Sequence, residues 1–396
     1  MSHRPDFPQM KLLVIDPFVA TRAPTMRSWI LALPSFRDLF SEIEIWATEC
    51  DVPEGNGVIW KRVKKRIPVT TLHMVDFQWR VSRMIRKHPP ASDTVVMTTG
   101  CNIPRADIHY MHYWNRAMLE EQRKRADAFH LQPHHRLVAS LVARTEAKVA
   151  CDPVAERWWW SVSRSISEKI KADGATGHFR ILPNPYDSER FHPEIRNHWR
   201  AEMRRFYGFH EDEVVFVFSS FGHFERKGLL QGIEAIAILR GKGYPVRLLV
   251  LGGSSRTIER FRVSLGSRRI SSDFCHFAGL VSPIEQHLSA ADALLFPSHF
   301  EAFSLAEIEA GALGLRLYLT AHYGSEMILR EPENGRLLPW EPTGMAAVIE
   351  EDLKLDRVGL AHTQTGEAVT LDEFSHKIRS LFEEVIAAKK RAVQAT

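Results

Sequence analysis

Between residues 213 and 320 the chain repeats one pattern five times: a short apolar run, then a helical stretch. The runs are EVVFVFSS (213–220), VRLLVLGG (246–253), CHFAG (275–279), DALLFPS (292–298) and LRLYLT (315–320). Short apolar runs without polar alternation suit strands covered on both faces, and the helices between them supply the crossover connections. This is the signature of a parallel, doubly wound α/β sheet. The first half opens in the same way with KLLVID (11–16), and TVVMTT (94–99) and WWWSVS (158–163) follow, but the order of its strands is not readable from the sequence.

A chain of 396 residues is too long for one comfortable core, so two domains are expected. LPNPYDSERFHPE (182–194) carries three prolines and no period, and reads as the linker. The boundaries expected are 1–190 for an N-terminal Rossmann-like domain and 191–371 for a C-terminal one. The terminal segment 372–396 is a helix expected to join the first domain. Its stripe of Phe374, Ile378, Leu381, Phe382, Val385 and Ile386 needs a core to cover it.

The hydrophobic share of 44% and charged share of 25% are those of an ordinary globular protein, which excludes disorder. No run is long enough to span a bilayer, and Leu12–Ile15 is too short for a signal-peptide core, so a cytoplasmic protein is expected. Cys50, Cys101, Cys151 and Cys275 form no compact framework, which argues against a zinc site and reads as small core residues. Residues 1–190 hold 28 Lys and Arg against 21 Asp and Glu, whereas the remainder holds 24 against 27. The densest basic clusters are Lys61, Arg62, Lys64, Lys65, Arg66 and Arg80, Arg83, Arg86, Lys87. Such clusters are usually solvated faces, but a peripheral enzyme with a lipid-linked acceptor would use them against anionic headgroups at the inner face of the cell membrane. No nucleic-acid partner is expected.

The stretch FPSHFEAFSLAEIEAGALG (296–314) carries the most chemistry: a strand ends, a loop holds Glu301, and a helix begins near Ser304. Ser304 with Glu307 three residues on has the form of a capping box, which gives Glu307 a structural explanation. Glu301 and Glu309 have no such local reason, and they bracket a helix N-terminus. The amides at 303–305 form an anion site, because first-turn N–H groups lack intrahelical partners and the helix dipole adds positive potential. In SSFGHFERKGLLQGIEAI (219–236), Arg226 and Lys227 stand just before Gly228 at another helix start. Cations there oppose the dipole, and a bound diphosphate would reverse that penalty.

In these motifs the C-terminal half resembles the large retaining glycosyltransferase family usually numbered four, of the GT-B fold. That family writes two glutamates with seven residues between them within PSxxEGFGLxxxEA, and this chain has PSHFEAFSLAEIEA. A KG pair after the first strand of the second domain appears here as RKG at 226–228. AGL at 278–280, ADALLFPS and NGRLLP (334–339) follow in the expected order. VSRSISEKI (162–170) and ILPNPYD (181–187) resemble elements before the linker. The resemblance covers residues 160–390 well and the first 150 poorly.

It implies two Rossmann-like domains with parallel sheets facing across a cleft. It also implies transfer of a sugar from a nucleoside-diphosphate sugar to the hydroxyl of a glycan or lipid-linked acceptor, with retention, in cell-surface polysaccharide or glycolipid synthesis. Lys227 and Arg226 would clamp the donor diphosphate, and the backbone at Phe303, Ser304 and Leu305 would hold the distal phosphate. Glu309 would accept from the ribose hydroxyls, Glu301 would contact the donor sugar, and Gly279 with Leu280 would lie by the nucleobase. His112, at the end of DIHYMHYWNR, is preferred to His109 as the histidine that touches the sugar. No cofactor and no metal are expected, because no DxD-like motif is suitably placed and Lys227 can substitute for a divalent cation.

Two departures stand out. FGH at 221–223 replaces the family's GR, leaving Arg226 as the substitute arginine, and the loop DPFVATRAP (16–24) lacks the usual glycines. Trp158, Trp159 and Trp160 read as core more readily than as a sugar platform. The rival readings are a nucleotide-sugar 2-epimerase on the same fold and a catalytically silent glycan-binding subunit.

Overall fold

The structure, a computed structural model, describes residues 10–67, 70–126, 131–152, 157–359 and 365–394. The chain forms two compact units. The first comprises Met1–Glu120, Leu131–Pro185 and Leu371–Thr396, and the second Glu121–His130 and Tyr186–Thr370.

The first unit is built on a seven-stranded sheet ordered Val58–Arg62, Phe40–Ala47, Met10–Ile15, Thr94–Thr99, Ile108–Met111, Trp158–Ser161, His178–Ile181. Every neighbouring pair is parallel. Its central strands are buried along nearly their whole length, as parallel strands covered on both faces must be. Trp158, Trp159 and Trp160 are all buried in this sheet, so they are core residues and no stacking platform. Helix Leu371–Gln394 supplies part of the same core: the Phe382 ring lies 4.8 Å from Phe36, 5.3 Å from Phe40 and 5.0 Å from Trp160. Of the four cysteines only Cys101 is fully buried, and Cys151 is exposed, so the expectation that all are core residues holds for one.

The second unit contains a six-stranded parallel sheet ordered Cys275–Gly279, Val246–Leu251, Val214–Ser219, Ala293–Phe296, Arg316–Thr320, Gly335–Leu338. The chain begins in the middle, runs outward through three strands, then returns to the middle and runs the other way. Val214–Ser219 and Ala293–Phe296 are therefore neighbours whose crossovers leave in opposite directions, the topological switch point at which ligands of open α/β sheets bind beyond the carboxyl ends of the strands.

Candidate functional site

Loop 220–228 follows the strand Val214–Ser219 and delivers Arg226 and Lys227 to the switch point. Gly228, the N-cap of helix Leu229–Gly241, has φ +72°, and a Cβ there would stand 2.0 Å from the carbonyl oxygen of Pro297. Only glycine permits that backbone and that approach. It presses the loop against the segment that leaves Ala293–Phe296, where the amide of His299 donates to the carbonyl of Arg226 at 2.8 Å.

From that second segment comes Glu301. Its Oε1 lies 2.8 Å from Nη1 of Arg226 and 3.3 Å from Nζ of Lys227, and it accepts from the Ser298 hydroxyl at 3.1 Å. The three charged side chains are mostly buried. Burial alone would raise the Glu301 carboxyl, but Arg226 and Lys227 together hold it down at about 2. Burial draws Lys227 below its ordinary value, with Glu301 opposing. Two cations and one ionised carboxylate thus share a partly dehydrated cluster, an arrangement suited to a dianion that can replace or join the carboxylate.

Glu301 leads through buried Ala302, Phe303 and Ser304 into helix Leu305–Ala312. The capping-box reading of Ser304 and Glu307 is overturned. The Ser304 side chain caps no first-turn amide, and Glu307 turns inward, fully buried, with Oε1 3.1 Å from Nε2 of His322. The inward face of the helix, with His322 there as counter-charge, outweighs the local pattern. The first-turn amides are consequently not taken up by the Ser304 side chain. Glu309, half-buried on the same helix, lies close enough to Arg190 for its charge to act on that guanidinium.

Gly279 ends the strand Cys275–Gly279 and Leu280 follows it. Gly279 (φ +73°) accepts from the amide of Gly252 at 2.6 Å, and Leu280 is 63% exposed. On the same carboxyl edge Phe221 is 86% exposed, a large ring that nothing local in the sequence marks. His322 is likewise invisible before folding, since it belongs to no motif, and Ser298 stands in PSHFEAFSLAEIEA without being singled out there.

In the first unit, His112 stands one residue past the strand Ile108–Met111. Its ring is 4.0 Å from that of Tyr110, and burial pushes its pKa down to about 3, with the Asn184 side chain opposing. It is a neutral imidazole at any ordinary pH and a weak proton acceptor. His109 is fully buried, stacked on Trp159 and bonded through Nδ1 to the Gly100 carbonyl at 3.0 Å, so it is a core residue. Lys61, Arg62, Lys64, Lys65 and Arg66 are exposed, two of them on the edge strand Val58–Arg62, where charge also blocks edge-to-edge pairing. Among the described residues no helix is long and apolar enough to cross a membrane.

Residues 212–354 match the family model described as Glycosyl transferases group 1. The matched segment lies within the second unit. The solved structure of WaaG, a glycosyltransferase involved in lipopolysaccharide biosynthesis, is similar over 96% of this chain and 98% of its own, at 16% identity and a TM-score of 0.64. HepE of Anabaena, in complex with UDP and glucose, is similar over 95% of this chain and 100% of its own, at 13% identity and a TM-score of 0.65. Sucrose-phosphate synthase of Thermosynechococcus elongatus is similar over 96% and 100%, at 16% identity and a TM-score of 0.69. At such identities the likeness is one of fold, and the fold is GT-B. Among curated proteins no match in sequence was found. Domain match and fold together make the chain a glycosyltransferase of GT-B type.

Proposed function

We propose that this glycosyltransferase moves a sugar from a nucleoside-diphosphate sugar to an acceptor hydroxyl with retention of configuration. The observation that carries the reading is the meeting of Arg226, Lys227 and Glu301 at the switch point, beside the N-terminus of helix Leu305–Ala312. The UDP in the HepE structure favours the same class of donor. Arg226 and Lys227 bind the diphosphate, the backbone from Phe303 to Leu305 takes the distal phosphate, and Glu301 turns to the sugar hydroxyls once the diphosphate relieves it as counter-charge. Glu309 accepts from the ribose, and the base lies against Gly279 and Leu280.

As the glycosidic bond lengthens, negative charge grows on the leaving phosphate. Fixed cations and helix amides aimed at that oxygen form the largest catalytic term, each strong donor being worth about 3 kcal/mol. Glu301, paired with the phosphate-binding cations, is badly placed for a base on the opposite face of the sugar, and the departing phosphate oxygen takes the acceptor proton instead. No cofactor enters, and Lys227 serves where other transferases use a divalent cation. The acceptor is a glycan or lipid-linked glycan in cell-surface polysaccharide or glycolipid synthesis, met at the cytoplasmic face of the membrane through Lys61 to Arg66 and the basic side of helix Thr70–Lys87.

A thermal-shift screen against UDP, GDP, ADP and their sugars tests the donor class. A ligand at about a hundred times its dissociation constant stabilises by about 2.7 kcal/mol. One nucleoside diphosphate is expected to raise the melting temperature, and no response to any of them would remove the donor reading.

A further inference from the structure

A buried carboxylate beneath a site for anions needs an explanation, and Glu307 is one. It sits in the first turn of helix Leu305–Ala312 with its side chain wholly out of water, and neither of its oxygens has an in-line hydrogen-bond donor. Its counter-charge is His322, equally buried, at 3.1 Å. The Nδ1 of His322 lies 3.1 Å from the carbonyl oxygen of Tyr323. A carbonyl only accepts, so Nδ1 carries the hydrogen. If His322 were neutral, Nε2 would turn a lone pair toward an ionised carboxylate where no water can intervene. The contact therefore requires one proton on the pair, either as imidazolium with carboxylate or as imidazole with carboxylic acid.

The segment bearing His322 is rigidly tied to the site. Thr320 donates to the Ser298 carbonyl at 2.7 Å, and the Ser325 hydroxyl donates to the His322 carbonyl at 2.7 Å. A Cβ on Gly324 (φ +88°) would stand 2.5 Å from the Ala302 carbonyl oxygen, so the two loops meet backbone to backbone. The charged groups that act on the pair are Glu301 and Lys227, with Arg226 paired to Glu301.

We propose that Glu307 and His322 form a proton-holding pair that sets the charge of the donor site: with the proton, Arg226, Lys227, Glu301 and the pair sum to +1, and without it to zero. The inference rests on the donor reading above. Both partners are positioning residues, since neither needs to touch the diphosphate. Burial raises Glu307, and the carboxylate beside it raises His322 against its own burial, both in the direction of keeping the proton. Linkage is reciprocal, so a bound diphosphate tightens the hold on the proton, and loss of the proton loosens the diphosphate.

The test is calorimetric titration of UDP, GDP and ADP into the full chain from about pH 6 to about pH 9, across the range in which a perturbed histidine titrates. Wild type, Glu307→Gln, His322→Gln and the double variant are compared, in buffers of differing ionisation enthalpy. Wild-type affinity is expected to fall about tenfold with rising pH, as for loss of one unit charge across several Å of protein, with proton uptake on binding at the alkaline end. Glu307→Gln should lose both the fall and the uptake. His322→Gln, which strands the buried carboxylate, should bind weakly throughout, and the double variant should recover. Equal pH slopes and equal proton uptake in wild type, Glu307→Gln and the double variant would overturn the pair's role while leaving the donor reading intact. Failure of every nucleotide to bind wild type at any pH would instead remove the donor reading. If Glu307→Gln alone does not fold, its comparison passes to the double variant.

Discussion

Nζ of Lys227 and Oε1 of Glu301 lie 3.3 Å apart although their loops follow strands separated by three crossover connections in sequence. The doubly wound order makes those strands neighbours, and the close approach at Gly228 and Pro297 fixes the distance. A contact of this kind between mostly buried groups gives each residue a function that can be tested separately.

Glu309→Gln is expected to weaken binding of the ribonucleoside diphosphate much more than binding of its 2′,3′-dideoxy analogue, because the bond lost is to ribose. Equal losses for the two ligands would move Glu309 out of the ribose site.

Reversal of charge at Lys61, Lys64 and Lys65 should lower sedimentation with anionic vesicles and leave donor hydrolysis unchanged. Salt should act in the same direction by screening, since surface charges are largely decoupled beyond about 8 Å at physiological ionic strength. Vesicle binding equal to wild type would make the cluster a solvated edge that prevents strand pairing.

Stability should fall as pH rises through the weakly acidic range, in part through Asp16 of the first unit. Asp16 is buried, accepts from the Phe18 amide at 2.6 Å, and is raised by burial from 3.8 to about 7. A group raised on folding contributes stability that is complete below its unfolded value and lost as pH rises through its folded one, at about 1.4 kcal/mol per pK unit. Asp16→Asn should flatten the decline of melting temperature between pH 3.8 and about 7. An unchanged slope would transfer the effect to Glu146, raised by burial over the same range.

The second sheet was legible because its central strands are largely buried and read as unbroken apolar runs; five of its six strands stand within a residue or two of the runs named from sequence. The sixth, Gly335–Leu338, is visible in the sequence only as the motif NGRLLP, too short and too charged for a strand signal. In the first unit the edge strand His178–Ile181 is half-buried and carries His178 and Arg180, which hides it. Arg226, Lys227 and Glu301 could be named because they lie in a recurrent pattern. His322 could not, because its partner Glu307 is fifteen residues away and the pairing exists only after two loops pack. The capping-box expectation for Glu307 fails for the same reason: a capping box is a local rule, and the buried contact with His322 overrides it.

The proposed retention rests on the position of Glu301 beside Arg226 and Lys227. Once the donor is known, NMR coupling constants of the product should give the donor's own anomeric configuration. The opposite configuration would require a general base behind the sugar, and His112, held neutral with a pKa near 3, would be a weak one.

Titration of UDP, GDP and ADP into wild type and Lys227→Ala bears most directly on the site as a whole. One of the three should bind wild type, and Lys227→Ala should weaken that binding and cut turnover at least about a hundredfold, from loss of one charge-assisted contact in a dehydrated pocket. Equal affinity and equal kcat/KM in the two proteins would contradict the assignment of the switch point as the donor site.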